Sequence, residues 1–215
     1  MSWSSGKDSA LALHVARTEL GIDVVGLLTT VNEVADRVAM HAVRRQLLEA
    51  QADRLGIPLH TVELPSPCPN EVYEERMAKA VAQAQGDGVD TMIFGDLFLE
   101  DIRAYRETML AGTGIAPLFP LWQRPTPALA RDMCAVGVRA YITCVDPRVM
   151  PREFAGRAFD ESFLADLPST VDPCGENGEF HSFVWDAPGF ASPVDVVTGE
   201  VVERDGFVFA DVRPA

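Results

Sequence analysis

Lysine is almost missing from this chain. Of 18 basic residues only Lys7 and Lys79 are lysines, and the other 16 are arginines. With the abundance of alanine, this points to a GC-rich genome and gives the rare lysine positions extra weight. Cysteine is also scarce: Cys68, Cys134, Cys144 and Cys174 show no C-x-x-C spacing and no zinc pattern with the four histidines. That excludes a disulfide scaffold and a zinc module, and suits reduced thiols in a cytoplasmic protein. No apolar run reaches the ~18 residues of a membrane span, and no signal peptide opens the chain, so no membrane partner is expected. Basic charge is short overall. The formal net charge is −14, which argues against a nucleic-acid partner, because phosphate backbones attract proteins through clustered Lys and Arg. Repeats and low-complexity segments are absent.

What remains is an ordinary globular composition, 47% hydrophobic and 23% charged over 215 residues, enough for one core and a smaller appendage. Apolar runs of strand length alternate with helical patterns: helix Ser9–Leu20, strand Asp23–Thr29, helix Val38–Leu55, strand Ile57–Val62, helix Asn70–Gln85, strand Thr91–Phe94, helix Leu99–Leu110, a helix over 126–137 and strand Arg139–Val145. This alternation predicts an α/β fold, a parallel twisted sheet with helices on both faces. After residue 145 proline and glycine become frequent, and residues 146–215 carry 14 Asp+Glu against 5 Arg. Val201–Val212 reads as two strands turning at Asp205-Gly206. The expected division is a nucleotide-binding domain over 1–145 and a β-rich C-terminal domain over 146–215 that binds substrate.

The most informative stretch is Ser4-Ser5-Gly6-Lys7-Asp8-Ser9. Small residues at a strand-to-helix joint let backbone N–H groups approach a phosphate, and the helix adds its positive end. Lys7 supplies a mobile positive charge, and Asp8 can hold a magnesium ion or order the loop. Capping of a helix by Asp8 and Ser9 is the plainer alternative. The loop is not a Walker A motif, since the first glycine and the hydroxyl after the lysine are both missing. Ligands on parallel sheets sit beyond the carboxyl ends of the strands, which would gather the loop with Thr29-Thr30, Gly95-Asp96 and Cys144-Val145-Asp146. Only Met1-Ser2-Trp3 precede the loop, against ~5–6 residues in a normal strand. The first strand is therefore expected to be stunted, or the natural protein to begin upstream.

A second stretch, Asp172 to Ser182 (DPCGENGEFHS), sets Glu176, Glu179 and His181 among glycines before the apolar run Phe183-Val184-Trp185. If extended, the chain points Glu179 and His181 to one face. Such groups bind an amine, coordinate magnesium or move protons; a polar turn is the alternative. Near the end of the central strand, Asp96, Glu100 and Asp101 form either an acceptor or magnesium site or a helix start that complements its dipole. Arg103 and Arg106, one turn apart, either grip an anion or face solvent.

The loop resembles the S-G-G-x-D-S signature of the PP-loop ATP pyrophosphatases, with Ser5 in place of a glycine. Together with Gly175-Glu176-Asn177-Gly178-Glu179-Phe180, it resembles the diphthine–ammonia ligase family, whose members carry S-G-G-K-D-S and G-E-x-G-E-F-E-T; the composition suits a divergent, bacterial member. Met40-His41, Leu55-Gly56-Ile57-Pro58-Leu59 and Leu121-Trp122-Gln123-Arg124 extend the likeness. It implies ATP and Mg2+ as cofactors, adenylation of a carboxylate with release of pyrophosphate, and attack by ammonia or an amine. It implies that Ser4, Gly6, Lys7, Asp8, Ser9 and His41 hold the nucleotide, Asp8 holding the metal; Ser5, Thr30 and Gly95 join them by their place in the loop and at the strand ends. Lys7, Asp8, Glu176 and Glu179 would be catalytic, and Glu176, Gly178, Glu179 and Phe180 would line the acceptor site, to which Asp96, Glu100, Arg103, Arg106 and His181 are added by position. The acceptor partner would be a small-molecule or protein-borne carboxylate, and a homodimer is possible. His181-Ser182 replaces Glu-Thr, which removes a carboxylate, and the Gly95–Arg106 segment differs from the family's, so diphthine itself is not the expected acceptor. Other readings are an ATP- or AMP-binding module without catalysis, and a PP-loop thiolase or amidohydrolase.

Overall fold

The computed structural model describes residues 1–34, 37–38 and 43–215. The elements are α1 (Lys7–Thr18), β1 (Leu27–Asn32), β2 (Arg37–Val38), α2 (Arg45–Leu55), β3 (Leu59–Leu64), α3 (Asn70–Gly86), β4 (Thr91–Ile93), α4 (Glu100–Leu110), β5 (Ala116–Leu118), α5 (Thr126–Ala135), β6 (Arg139–Val145), α6 (Glu161–Asp166), β7 (Phe180–Asp186), β8 (Val196–Arg204) and β9 (Phe207–Pro214). A mixed α/β body is thus followed by a β-rich C-terminal part.

Parallel pairing covers β1 with β3 and β4 with β5, while β2 runs antiparallel to the far end of β1. Met1–Trp3 lie between the two parallel pairs. The Leu28 amide donates to Met1 O at 2.8 Å, Trp3 N to Leu28 O at 2.8 Å, and Ser2 N to Ile93 O at 2.8 Å. The expected stunted strand is therefore present as three residues that bridge β1 and β4 and feed the phosphate loop. Leu27 and Val31 point to one face and join the main core with α1 and α2, while Leu28 packs under α3 against a smaller apolar cluster. The first face is fully buried and the second only partly, the period-two burial seen along β1.

One expectation fails here. Strand Arg139–Val145 was expected to extend the parallel sheet, but β6 pairs antiparallel with β7 and with β9, in a separate sheet ordered β7-β6-β9-β8. A short, wholly apolar run fits either kind of buried strand, and periodicity alone cannot separate them. The β8–β9 hairpin turns where Asp205-Gly206 stands, at φ 54° and 80°, the left-handed pair that a two-residue turn needs. Helix α2 begins at Arg45, later than the pattern suggested, and Met40-His41 lie outside the described residues.

Two polar links lock the C-terminal sheet onto the first body. Asp211 on β9 pairs with Arg37 at 3.2 Å and Arg44 at 2.6 Å; burial raises its carboxyl, but the two arginines outweigh that and hold it below the usual range. Gln51 on α2 is fully buried. Its Oε1 accepts from Trp3 Nε1 at 2.9 Å, and its Nε2 donates to Ser5 O at 3.1 Å and Val184 O at 2.5 Å. One side chain thus ties the short strand, the loop and β7 together. Gln51→Leu fills the same space but removes the acceptor of Trp3 Nε1, at about 1–3 kcal/mol, and one bond each to Val184 O and to Ser5 O, which keeps Val184 N. Urea denaturation should show a loss of at least about 2 kcal/mol; an unchanged midpoint would refute the link.

Candidate active site

The phosphate loop is shaped by Ser5, which adopts φ 67°. That is the left-handed region favoured by glycine, so serine keeps the turn of the residue it replaces, and its carbonyl is fixed by Gln51 and by Val184 N at 2.9 Å. Ser4 Oγ lies 3.1 Å from Ser9 Oγ and accepts from Gly6 N at 3.3 Å. The first helical turn has no side-chain cap. Ala10 N donates to Gly6 O, so the Asp8 and Ser9 amides precede the first intrahelical bond and are the donors an anion takes at a helix start. Gly95 supports this from just beyond β4. A Cβ there would meet Asp8 C and Ser9 N at 3.1 Å, so only glycine lets the strand end approach the loop without displacing it.

A cavity of about 250 Å³ opens over the loop. Ser4, Lys7, Asp8 and Ser9 form its floor; Gly95 and Asp96 come from the segment after β4, Arg106 from α4, and Glu176, Phe180 and His181 from the C-terminal part. The two stretches singled out in the sequence therefore face each other across one space.

The turn over 172–179 is internally braced. Asp172 Oδ2 accepts from Glu176 N at 3.0 Å, and Glu179 Oε1 accepts from Asp172 N at 3.0 Å and Asn177 Nδ2 at 2.9 Å. Gly175 stands at φ 69°, where a Cβ would strike Phe180 O at 2.8 Å. Glu176 projects the other way, and its Oε1 accepts from Leu97 N at 2.7 Å and Phe98 N at 3.4 Å. Burial, helped by the nearby Asp8 and Asp96 charges, pushes its carboxyl up to about 7 against the pull of those two amides. Asp96 is also raised, chiefly by burial, with Arg106 opposing. Three carboxyl groups and one exposed-side guanidinium thus surround the space.

Several expected site residues lie elsewhere or are engaged differently from the expectation. Lys7 is not a mobile charge: it is 1% exposed, and its Nζ donates to the carbonyl of Cys174 and to Asp8 at 2.9 Å, with Phe180 and Phe159 rings 5.1 and 5.8 Å away. Burial pulls its pKa down, but Asp8 and weaker negative neighbours outweigh it and the net shift is upward. Glu179 and Gly178 do not line the cavity, and Glu179 holds the turn instead. Arg103 turns away, stacked on Phe119 and Trp122 at 5.0 and 4.8 Å and bonded to Glu107, while Arg106 leans on Phe94 at 5.1 Å, 3.7 Å from Asp96. The two guanidiniums do not converge in this structure, since each lies on its own aromatic face. Glu100 is exposed on α4. Thr30 and Cys144-Val145-Asp146 are not among the lining residues. His41 lies outside the described residues.

The sequence reading missed Ser182, whose Oγ accepts from Lys7 N at 3.2 Å, and Phe94, which forms a wall. Ser182 adjoins the glutamate motif and so had a signal; Phe94 had none. Cys174 is buried, and burial drives its thiol far upward, which leaves it protonated and unreactive. Among the described residues no three His, Cys, Asp or Glu side chains gather closely enough to hold a metal ion. Asp8 on the floor fits magnesium only in the manner of phosphate-bound sites, where one or two carboxylates complete a shell of phosphate oxygens and water.

Two outcomes follow. Lys7→Met keeps the volume and removes the charge that holds Cys174 O and Asp8, and should lower stability by about 2 kcal/mol or more by urea denaturation. An unchanged value would show the link to be idle. Glu176 binds its proton more tightly folded than unfolded, so its contribution is complete below about pH 4.5 and is lost as pH rises through about 7. Glu176→Gln should therefore gain in Tm relative to the native protein between about pH 5 and 8; a difference independent of pH would contradict the raised carboxyl.

Residues 1–117 match the diphthamide synthase N-terminal domain and residues 126–212 the diphthamide synthase C-terminal domain. The chain is 24% identical over 230 residues to the diphthine–ammonia ligase of Homo sapiens, covering 97% of this chain and 86% of that protein. It is 25% identical over 232 residues to the Danio rerio diphthine–ammonia ligase, with 97% and 90% covered. With the diphthine–ammonia ligase of Schizosaccharomyces pombe it shares 24% over 221 residues, 94% of this chain and 36% of that protein.

Proposed function

The chain belongs to the diphthamide synthase family, and from that premise we propose that it is an ATP-dependent amide ligase acting through an acyl-adenylate. The reading rests on one observation: the phosphate loop and the Glu176 turn line the same cavity. A carboxylate oxygen of the acceptor attacks the α-phosphorus of ATP, and pyrophosphate leaves. Ammonia or an amine then attacks the acyl carbon, the bond to AMP breaks, and the attacking nitrogen gives up a proton.

The residues divide this work. The Asp8 and Ser9 amides and the Ser4 hydroxyl donate to phosphate oxygens, where charge develops as pyrophosphate leaves, while the Ser9 hydroxyl is committed to Gly6 O. Magnesium, held by Asp8 and the phosphates, would offset negative charge. Glu176, with a carboxyl near pH 7, suits the nitrogen's proton, since a base works best when its pKa lies near the working pH. The acidic rim of Asp96 and Glu176 also attracts an ammonium donor. Lys7 positions the loop against the Glu176 turn.

The proposed acceptor is a carboxylate bearing a further anionic group, and not diphthine. Arg106 leaves one cation on the rim, and His181 stands where the family has a carboxylate, so a quaternary amine meets less negative charge there. The buried, protonated Cys174 speaks against a thiolase.

With ATP, magnesium and ammonium over a panel of carboxylates, the products should be AMP and pyrophosphate, and Glu176→Gln should lower kcat about 10²-fold or more with KM for ATP little changed. Formation of ADP, or tight ATP binding without turnover on any acceptor, would return the reading to a nucleotide-binding module. Efficient amidation of diphthine-bearing elongation factor, at rates matching the small acids, would overturn the acceptor assignment alone.

A further inference from the structure

One carboxylate lies across the candidate active site on a pair of backbone amides. Glu176 reaches from the 172–179 turn to the segment after β4, where its Oε1 accepts from Leu97 N at 2.7 Å and Phe98 N at 3.4 Å. Only that oxygen is engaged among the described residues. Glu176 lines the cavity, while Leu97 and Phe98, whose amides it covers, do not.

The two amides are held in place from behind. Both precede Leu99, the cap of α4, so the helix end does not account for them. Phe94 N donates to Leu118 O at 2.9 Å and Gln123 N to Leu97 O at 2.7 Å, which fastens the segment 94–97 to the segment 118–123 at both ends. Gln123 makes its bond from φ 58°, a left-handed conformation that costs a residue other than glycine about 1 kcal/mol or more. Leu97 O and Phe98 N belong to one planar peptide unit, so fixing the carbonyl also aims the Phe98 amide.

Glu176 itself fits this position poorly. Burial, with Asp8 and Asp96 nearby, disfavours its charge more than the two amides favour it, and its carboxyl is pushed up to about 7. The space is also small. At about 250 Å³ it falls below the ~300–1,000 Å³ of clefts that enclose a ligand, yet the proposed reaction needs a nucleotide and an acceptor together.

We propose that the amides of Leu97 and Phe98 bind the reacting carboxylate of the acceptor, and that Glu176 occupies this subsite as an intramolecular stopper until the acceptor displaces it. The identity of the occupant rests on the ligase reading above. Two aimed amides suit any carboxylate, and Glu176 marks how an incoming one lies. Bound in the same way, an acceptor keeps one oxygen on the amides and leaves the other free to attack the α-phosphorus. The amide product retains a carbonyl oxygen for these bonds but no charge, so it is held less firmly and Glu176 returns. Arg106 Nε is buried 3.7 Å from Asp96 and has no hydrogen-bond partner among the described residues. It lines the same cavity and suits the acceptor's further anionic group.

The test needs neither ATP nor turnover. Acetate is titrated into the native protein, Glu176→Ala and Glu176→Gln while backbone amide resonances are followed by NMR. In Glu176→Ala acetate should shift Leu97 and Phe98 saturably, with a Kd about tenfold or more below that of the native protein, in which the stopper leaves the amides free for about a tenth of the time or less. Glu176→Gln keeps a neutral oxygen in place and should fall between the two; it carries the test if the alanine variant does not fold. Absence of shifts at Leu97 and Phe98 in the variants, or one acetate affinity across all three proteins, would overturn the proposal. So would shifts confined to Asp8 and Ser9 of the phosphate loop, or an equal response to chloride at the same ionic strength. Acetate bound at Leu97 and Phe98 in a protein that forms ADP would support the carboxylate subsite and remove the ligase reading alone.

Discussion

A buried ammonium holds this site together. Lys7 stands in the first turn of α1, yet its charge is directed to the carbonyl of Cys174, more than 160 positions along the chain, and to the neighbouring Asp8. A cation with almost no access to water is tolerated only when paired, so the phosphate loop and the 172–179 turn must stay in register for the protein to remain folded. Everything else at the site is arranged around that condition. Phe180 and Phe159 shield the ammonium, Ser182 takes the Lys7 amide, and Glu179 braces the turn from behind. Glu176 is then left to project over the loop.

The same economy explains why two glutamates in one motif behave differently. Glu179 has its oxygen filled by an amide and an asparagine within its own turn. Glu176 reaches across to the backbone at Leu97 and Phe98 and sits near Asp8 and Asp96, which raises its carboxyl into the neutral range. Environment and not residue type divides them into a brace within the turn and a carboxyl that projects into the cavity. Arg103 and Arg106 part in the same way, since each guanidinium settled on a different aromatic face.

The loop's serine shows how far a motif tolerates change. Ser5 keeps the left-handed backbone of a glycine because its carbonyl is held by Gln51 and β7, and those contacts offset the local strain. Gly95 has less freedom, since the backbone of Asp8 and Ser9 would lie 3.1 Å from its Cβ. A reading of motifs alone weighs both positions equally; packing distinguishes them.

Much was legible beforehand for a physical reason: helix and strand periodicity, the left-handed pair Asp205-Gly206 and the small-residue loop are local, and local geometry is written in neighbouring residues. The alternation of elements to residue 118, the terminal hairpin and the two stretches that face the cavity belong to this class. Tertiary structure decided the rest. It placed β6 in the antiparallel sheet, because an apolar run carries no record of its partner's direction. It buried Lys7 and turned Glu179 and Arg103 away from the cavity, because a side chain's direction depends on which distant backbone groups are left to satisfy. Residue types announce which chemistry is available; only packing settles which atoms meet.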